Sequence, residues 1–388
     1  SDLKNLNLAP NKIVVGIIGM ACLTSSVNAP SQLWDALVQE SCQITTSPPD
    51  RWRKACALSN APQAALVGAF IGAGALDEIK RADVAQMDLH VQLLTTVMSK
   101  ALDDTGSVLQ SKEMGIFTAT QPADFLKRVS SSTIPRTVAL VLKAAGPHGN
   151  SDAECSSGYL ALASARNAIQ AGECNVAAAG GVFMLLKPDL AIGSLASGMM
   201  SPTGSCTPLS EAANGTIWGE ACSAVVLQRD PRPGASLVSM TGHAVVENNP
   251  KLPLGFADPD TMAAATTSAL LFAGLQPTQV ALVHLHAMGS LPSDLPEAQG
   301  VLPVLTGSRT ADQLVLLGHK SSFGHSVAAS GILGAIVTAL ALQHRVVPVP
   351  ANFGKPLQLL QETKKILIPT SGPHLLDTSS TMSGVTNG

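Results

Sequence analysis

Apolar runs too continuous for a half-solvated sheet recur along this chain, and they leave few folds open to it. Residues 13–20 (IVVGIIGM), 114–120, 175–182 and 221–228 read as buried strands. In the second half so do 236–246, 280–286 and 314–317. Helical patterns separate them, as around 31–39. Strands buried on both faces and spaced by helices make an α/β protein whose sheets are covered by helices. A polar, Pro-rich stretch at 229–235 (RDPRPGA) divides the chain into halves of comparable length. Each half opens on strand-like material and ends on a strand–helix–strand pattern. That points to duplication, although the letters show no clear repeat.

At 388 residues with 46% hydrophobic and 13% charged side chains, the chain can fill a large core or two domains. Its net charge of −3 and its lack of a basic block argue against nucleic-acid binding. The uncharged stretch 326–343 is long enough to raise the question of a membrane span. Its Ala, Gly and Ser content, directly after a Gly-His pair, favours a helix buried in a soluble core. Ser1 and Asp2 open no signal segment, so a cytoplasmic location is expected. Gly16 and Gly19 are too sparse for a dinucleotide loop. The 7 cysteines contain no C-x-x-C pair, against both a disulfide framework and a structural metal.

One cysteine stands in a chemically promising place. In GPHGNSDAECSSGYLALASARN, Cys155 follows a polar turn and precedes a helix expected over 156–171. Leu160, Ala163 and Ala168 should face one way there, Arg166 and Gln170 the other. A helix N-terminus lowers a thiol's pKa and favours the thiolate. Small neighbours Ser156, Ser157 and Gly158 leave room for a substrate. Taken alone, Cys155 reads more readily as a buried structural cysteine, as most cysteines in apolar chains are. Acid–base partners come from two His-bearing loops, 280–299 (VALVHLHAMGSLPSDLPEAQ) and 316–331 (LLGHKSSFGHSVAASG). Histidines at strand ends beside Gly lie where catalytic groups concentrate. Spacing alone does not choose among His284, His286, His319 and His325.

Together these segments resemble the β-ketoacyl synthases, in particular ketosynthase domains of type I polyketide synthases and of peptide synthetase–polyketide hybrids. DAECSSG matches the nucleophile motif D-T-A-C-S-S-S, HAMGSLPSDLPEAQ matches H-G-T-G-T-x-x-G-D-P-x-E-A, and KSSFGHSVAASG matches K-S-N-x-G-H-x-x-A-A-A-G. The opening VVGIIGMAC and the stretches from GECNVAAAGG and SGMMSPTGSC follow in order. The resemblance implies a thiolase fold, five-layered αβαβα, from two duplicated halves (1–230 and 231–388), with the site where they meet. It implies that Cys155 carries the acyl thioester, that His286 and His325 stabilise the enolate, and that Lys320 supports the histidines. It also implies no bound cofactor, substrate delivered on the phosphopantetheine arm of a carrier domain, and a homodimer pairing near 147–153. Thiolases with a second active-site Cys are excluded because no Cys follows Cys222. His325 excludes the initiating synthases, which carry Asn there, and Cys155 excludes chain-length factors.

Departures from the pattern bear on function. Of the two hydroxyl residues that contact the pantetheine arm, one is kept as Ser290 and the other is Met288. The carboxylate two residues after the second His is Val327. Leu209-Ser210 replace a Phe-Asp pair, a segment before residue 81 is short, and at Gly388 the family's last core strand has not been reached. Four readings stay open at this point. They are chain extension, intramolecular (Dieckmann) ring closure, a non-elongating domain that only transfers or hydrolyses acyl chains, and a catalytically silent partner or scaffold, against which the intact Cys155 argues.

Overall fold

The computed structural model describes residues 13–48, 51–52, 62–78, 83–106, 113–121, 130–252, 256–310, 313–376 and 383–386. The elements that place the site are, in chain order, β1 (Val15–Thr24), α1 (Pro30–Val38), α2 (Leu89–Asp103), β2 (Gly115–Thr120), α3 (Ile134–Val141), β3 (His148–Ser151), α4 (Ser157–Ala171), β4 (Val176–Phe183), α5 (Asp189–Ala196) and β5 (Ala221–Arg229). The second half adds β6 (Val238–Ser239), α6 (Pro259–Ala273), β7 (Val280–His284), α7 (Leu291–Thr306), β8 (Leu314–Leu317), α8 (Lys320–Phe323), α9 (Val327–His344), β9 (Ile366–Leu367) and β10 (Ser383–Thr386).

The two larger sheets are ordered β3-β2-β4-β5-β1-β6 and β9-β8-β7-β10. The first is mixed, with β2 parallel to β3 and β4, and β5 antiparallel to β4 and β1. The second is wholly parallel. Alternate residues of β1 go to opposite faces, as a two-residue side-chain period requires. Met20 and Cys22 join a core with α1, α4 and α9, while Ala21 and Leu23 join one with α2 and α3. The first of these cores also takes Leu282, Val315 and Leu317 from the second sheet. That sheet's other face packs Val280, Val283, Leu314 and Leu316 on α6 and α7. The succession is helix, sheet, helix, sheet, helix: five layers of a thiolase fold.

The uncharged stretch is α9, and every residue from Val327 to Ala341 is buried inside this sandwich. A helix apolar on all sides belongs where both flanks are protein. It lies close on α4 through glycine. A Cβ on Gly158 would stand 3.0 Å from the Ala328 carbonyl and the Gly331 amide, and one on Gly331 would stand 2.6 Å from the Tyr159 amide.

Two expectations fail. The strand expected over 236–246 forms only at Val238–Ser239, the part that pairs with β1. The Met240 amide still donates to the Val15 carbonyl of β1 at 2.8 Å. From Thr241 on no ladder neighbour is found among the described residues, and a strand needs a partner for its N–H and C=O groups. The side chain of Arg166, expected to face water, is instead 7% exposed. It donates to the carbonyls of Met240 and Thr241, so its guanidinium satisfies the backbone that lacks a ladder.

Candidate active site

The nucleophile loop runs from β3 into α4. Ser157 at the helix start accepts from the Ala153 amide at 2.8 Å and donates to the Glu154 carbonyl at 2.7 Å, closing the turn around Cys155. Glu154, directly before the cysteine, has φ +51°. Ala287 (φ +41°), directly after His286, and Val327 (φ +34°), two residues after His325, share that left-handed conformation. For residues with a Cβ it is unfavourable, and for β-branched Val327 an outlier. Backbone strain of this kind persists where the surroundings over-determine it, and here it adjoins three reactive side chains.

The site joins the two halves. Cys155 Sγ lies 2.9 Å from His325 Nε2. The His286 and His325 rings stand edge to face, 5.0 Å apart at 89°. One ligand atom from each of Cys155, His286 and His325 falls within 4.8 Å of the others. Such a set could also grip a soft divalent ion, but the adjacent Lys320 ammonium opposes a second cation there. His325 is pinned by its backbone, its amide donating to the Ile217 carbonyl at 2.7 Å while its carbonyl accepts from Gly219 at 3.0 Å. Its ring lies over Trp218, 5.6 Å away at 27°.

His286 is held by carboxylates on α7 that motif reading passed over as roles. Glu297, 1% exposed, accepts the amides of His286 at 2.6 Å and Ala287 at 2.8 Å. Asp294 accepts those of Leu209 at 2.8 Å and Gly289 at 3.2 Å, and burial pushes its carboxyl up to about 7. The signal was present in the sequence, since the two acids lie three residues apart on one helix face. Lys320 donates to the His286 carbonyl and, at 3.4 Å, to His286 Nδ1. An ammonium has no lone pair, so Nδ1 accepts and Nε2 carries the proton toward the site.

Electrostatics overturn one expectation. The Cys155 thiol is not acidified. Burial pushes it up to about 11, and the Lys320 charge only partly opposes this. Burial, reinforced by Lys320, holds His286 and His325 well below the ordinary 6.5. The resting pair is therefore neutral thiol beside neutral imidazole, and the nucleophile is made by proton transfer during attack. Cys155 itself sits in a 3-10 turn, and α4 begins only at Ser157.

A cavity of about 860 Å3 opens from Cys155, His286, Met288 and Val327 between α4, α5 and α6. Of the pair expected at the pantetheine arm, Met288 lines it, whereas Ser290 sits at the head of α7 and does not. His284 and His319 lie outside the cavity, hydrogen-bonded to each other.

Relatedness to known proteins accords with this geometry. The β-ketoacyl synthase N-terminal domain matches residues 12–232 and the C-terminal domain residues 237–354. The phthioceranic/hydroxyphthioceranic acid synthase of Mycobacterium bovis is 30% identical over 93% of the chain and 18% of its own length. The phenolphthiocerol/phthiocerol polyketide synthase of the same species is 30% identical over 87% of the chain, in a match that takes in 20% of that protein. The chain thus spans about a fifth of these relatives. A ketosynthase from module 6 of the bacillaene synthase of Bacillus subtilis superposes with TM-score 0.83 at 20% identity, covering 95% of this chain and 68% of the other. An oxazolomycin ketosynthase domain from Streptomyces albus gives 0.84 at 20% identity, covering 96% and 72%. With both halves matched in order, the chain belongs to the beta-ketoacyl synthase family, as a ketosynthase domain of the polyketide synthase type.

Proposed function

We propose that this acyl-transferring condensing enzyme forms a carbon–carbon bond on Cys155, and that it does so by intramolecular ring closure. Ketosynthases need no cofactor of their own, and in polyketide synthases the substrate arrives on a phosphopantetheine carrier. Here the Cys155 thiol attacks the carrier thioester carbonyl while its proton passes to His325 Nε2. The carrier thiolate leaves and takes that proton, and the acyl group remains on sulfur. His325, neutral again, removes a proton from the carbon between the two carbonyls of a β-ketoamide in the same acyl chain. The His286 Nε2–H stabilises the resulting enolate oxygen. The carbanion attacks the acyl carbonyl, the C–S bond breaks, and the Cys155 sulfur recovers the proton from His325. A five-membered tetramic acid leaves.

The observation that carries this reading is the pairing of Met288 on the cavity wall with Val327 beside His325. A second carrier arm finds no hydroxyl at position 288, and the position two residues after His325 carries valine rather than a carboxylate. A tethered nucleophile dispenses with that second arm, since effective concentration replaces binding. Chain extension is the second reading, favoured by the retention of both histidines in perpendicular array. An N-acetoacetyl-aminoacyl thioester in one reaction, and an acyl thioester with malonyl carrier in another, separate them. Tetramic acid in the first, abolished by Cys155→Ala, supports ring closure; product only in the second refutes it.

The same reading includes a carrier domain in the same polypeptide, a cytoplasmic setting, and residues 1–230 and 231–388 acting as one unit. It also includes a homodimer joined through β3. That strand is the edge of the first sheet, which is where a second copy could continue the ladder. A monomer mass near 40 kDa at micromolar concentration would refute the dimer.

A further inference from the structure

Behind the reactive groups lies a second pair of histidines. His284 ends β7 and His319 follows β8 by two residues, each 1% exposed. His284 Nε2 and His319 Nδ1 are 2.8 Å apart, with ring centroids at 5.0 Å and planes within 9°. At those values the rings are side by side in one plane, the geometry of a direct imidazole–imidazole N–H···N bond. Such a bond holds one proton between two neutral rings, and burial together with the neighbouring Lys320 charge keeps both rings neutral.

Its place in the ladder gives it a task. Backbone pairing of β7 with β8 ends at Leu317 and His284, with a last bond from the Leu285 amide to the Leu317 carbonyl at 3.2 Å. Beyond that point the two loops diverge, one carrying His286 and the other Lys320 and His325. Side chains join them there, through His284 to His319, through Lys320 to His286 and through the edge-to-face contact of His286 with His325. His319 also anchors the start of α8, its carbonyl accepting the amides of Ser322 and Phe323 at 3.0 and 3.1 Å. The far side is packed as closely. A Cβ on Gly334 of α9 would come within 2.9 Å of the His284 ring and 3.0 Å of the Tyr159 hydroxyl. His319 Nε2, by contrast, is buried with no hydrogen-bond partner. A buried nitrogen left open is costly, and its retention fits a ring whose other nitrogen has work to do.

We propose that His284 and His319 are positioning residues, a side-chain rung that extends the β7–β8 ladder and holds Lys320 against His286 so that His286 keeps its proton on Nε2. The rung acts on the condensation half of the cycle, which uses His286, and not on acyl transfer to Cys155, which uses His325. The functional half of this inference rests on the reaction proposed above; the tautomer half does not.

The test compares wild type with His319→Leu, His319→Asn and His319→Gln. Asn returns a polar atom to the place of Nδ1, whereas Gln carries it one methylene too far. Selective 15N-histidine labelling reads the His286 tautomer without any substrate. Intact mass follows Cys155 acylation, and product formation follows condensation. Wild type and His319→Asn are expected to show His286 protonated on Nε2 alone. His319→Leu and His319→Gln should show a mixture of tautomers. In those two variants condensation should fall about tenfold, the loss of roughly one hydrogen bond, with acylation within about twofold of wild type. If His319→Leu does not fold, the Asn and Gln variants carry the same comparison. A single Nε2 tautomer in every folded variant overturns the rung. So does an equal loss of acylation and condensation, which is the mark of a merely structural role. If wild type itself forms no product, the proposed reaction has failed, and the tautomer still decides the rung.

Discussion

Glu297→Gln is the substitution whose effect the structure sets most directly. The carboxylate accepts two amides, one per oxygen, from His286 and Ala287. Glutamine keeps one acceptor and turns the other position into a donor facing a donor. One buried N–H then loses a charge-assisted bond and is left unpaired, at about 1–3 kcal/mol. Ala287 sits at φ +41°, a conformation that bond helps to hold, so relaxation would move His286. Alanine would orphan both amides, at about 2–6 kcal/mol, a large share of a domain's usual 5–15 kcal/mol, so glutamine is the informative change. There is an electrostatic consequence as well. Burial lowers the Lys320 pKa and the Glu297 charge raises it. Removing that charge lets the ammonium deprotonate at lower pH, which moves the alkaline fall of condensation downward. Urea unfolding and a pH series of product formation measure the two effects. A Glu297→Gln protein with wild-type midpoint and wild-type alkaline limb would refute the reasoning.

Four further outcomes follow from the same geometry. His325→Ala should slow iodoacetamide labelling of Cys155 at pH 7.5 by about 10- to 100-fold, because it leaves a thiol near 11 without its base; equal rates by mass spectrometry would remove His325 from that role. His284, His286, His319 and His325 are all depressed below 6.5, so the unfolded chain takes up protons first and stability falls as pH drops below 6.5. The slope is up to about 1.4 kcal/mol per pH unit for each histidine, with Asp294, raised to about 7, opposing one of them; stability unchanged between pH 7.5 and 5.5 would contradict this. Met288→Thr should lower the KM of a separately supplied carrier thioester about 2- to 10-fold while leaving ring closure unchanged, a split that steady-state kinetics would show or deny. Gly331→Ala drives a methyl toward the Tyr159 amide and should cost about 1–3 kcal/mol in urea unfolding; a neutral result would mean that α4 and α9 can part without loss.

Much of the fold was legible because buried parallel strands advertise themselves as unbroken apolar runs, as at β4 (VAAAGGVF) and β8 (LVLL). Segment 236–246 has the same composition yet forms a strand over two residues only, since composition does not report whether a neighbour is there to pair with. The residues gathered at the site were legible through motifs that hold both loops in register. What escaped was cross-chain geometry. The sequence places His284 two residues before His286 and His319 just before Lys320, but only the β7–β8 register sets the two extra rings side by side. Arg166 departs from the periodicity for a related reason, because a helical repeat says which face a side chain occupies and not which carbonyls it meets there. The Cys155 pKa departs from the expectation because a sequence shows a helix beginning but not how far the thiol beside it is desolvated.

Helix α9 carries a consequence for how the domain opens. Its amides are shielded by one sheet on each flank, and the loop holding His325 runs directly into its first turn. No local fraying exposes its middle, so hydrogen exchange there must wait for the layers to separate, which makes those amides a gauge of whole-domain opening. An excursion that frees them also withdraws the imidazole from the sulfur. The reactive state and the most slowly exchanging state of this domain are therefore the same state, and any substitution that loosens the sandwich should register as lost chemistry before it registers as lost helix.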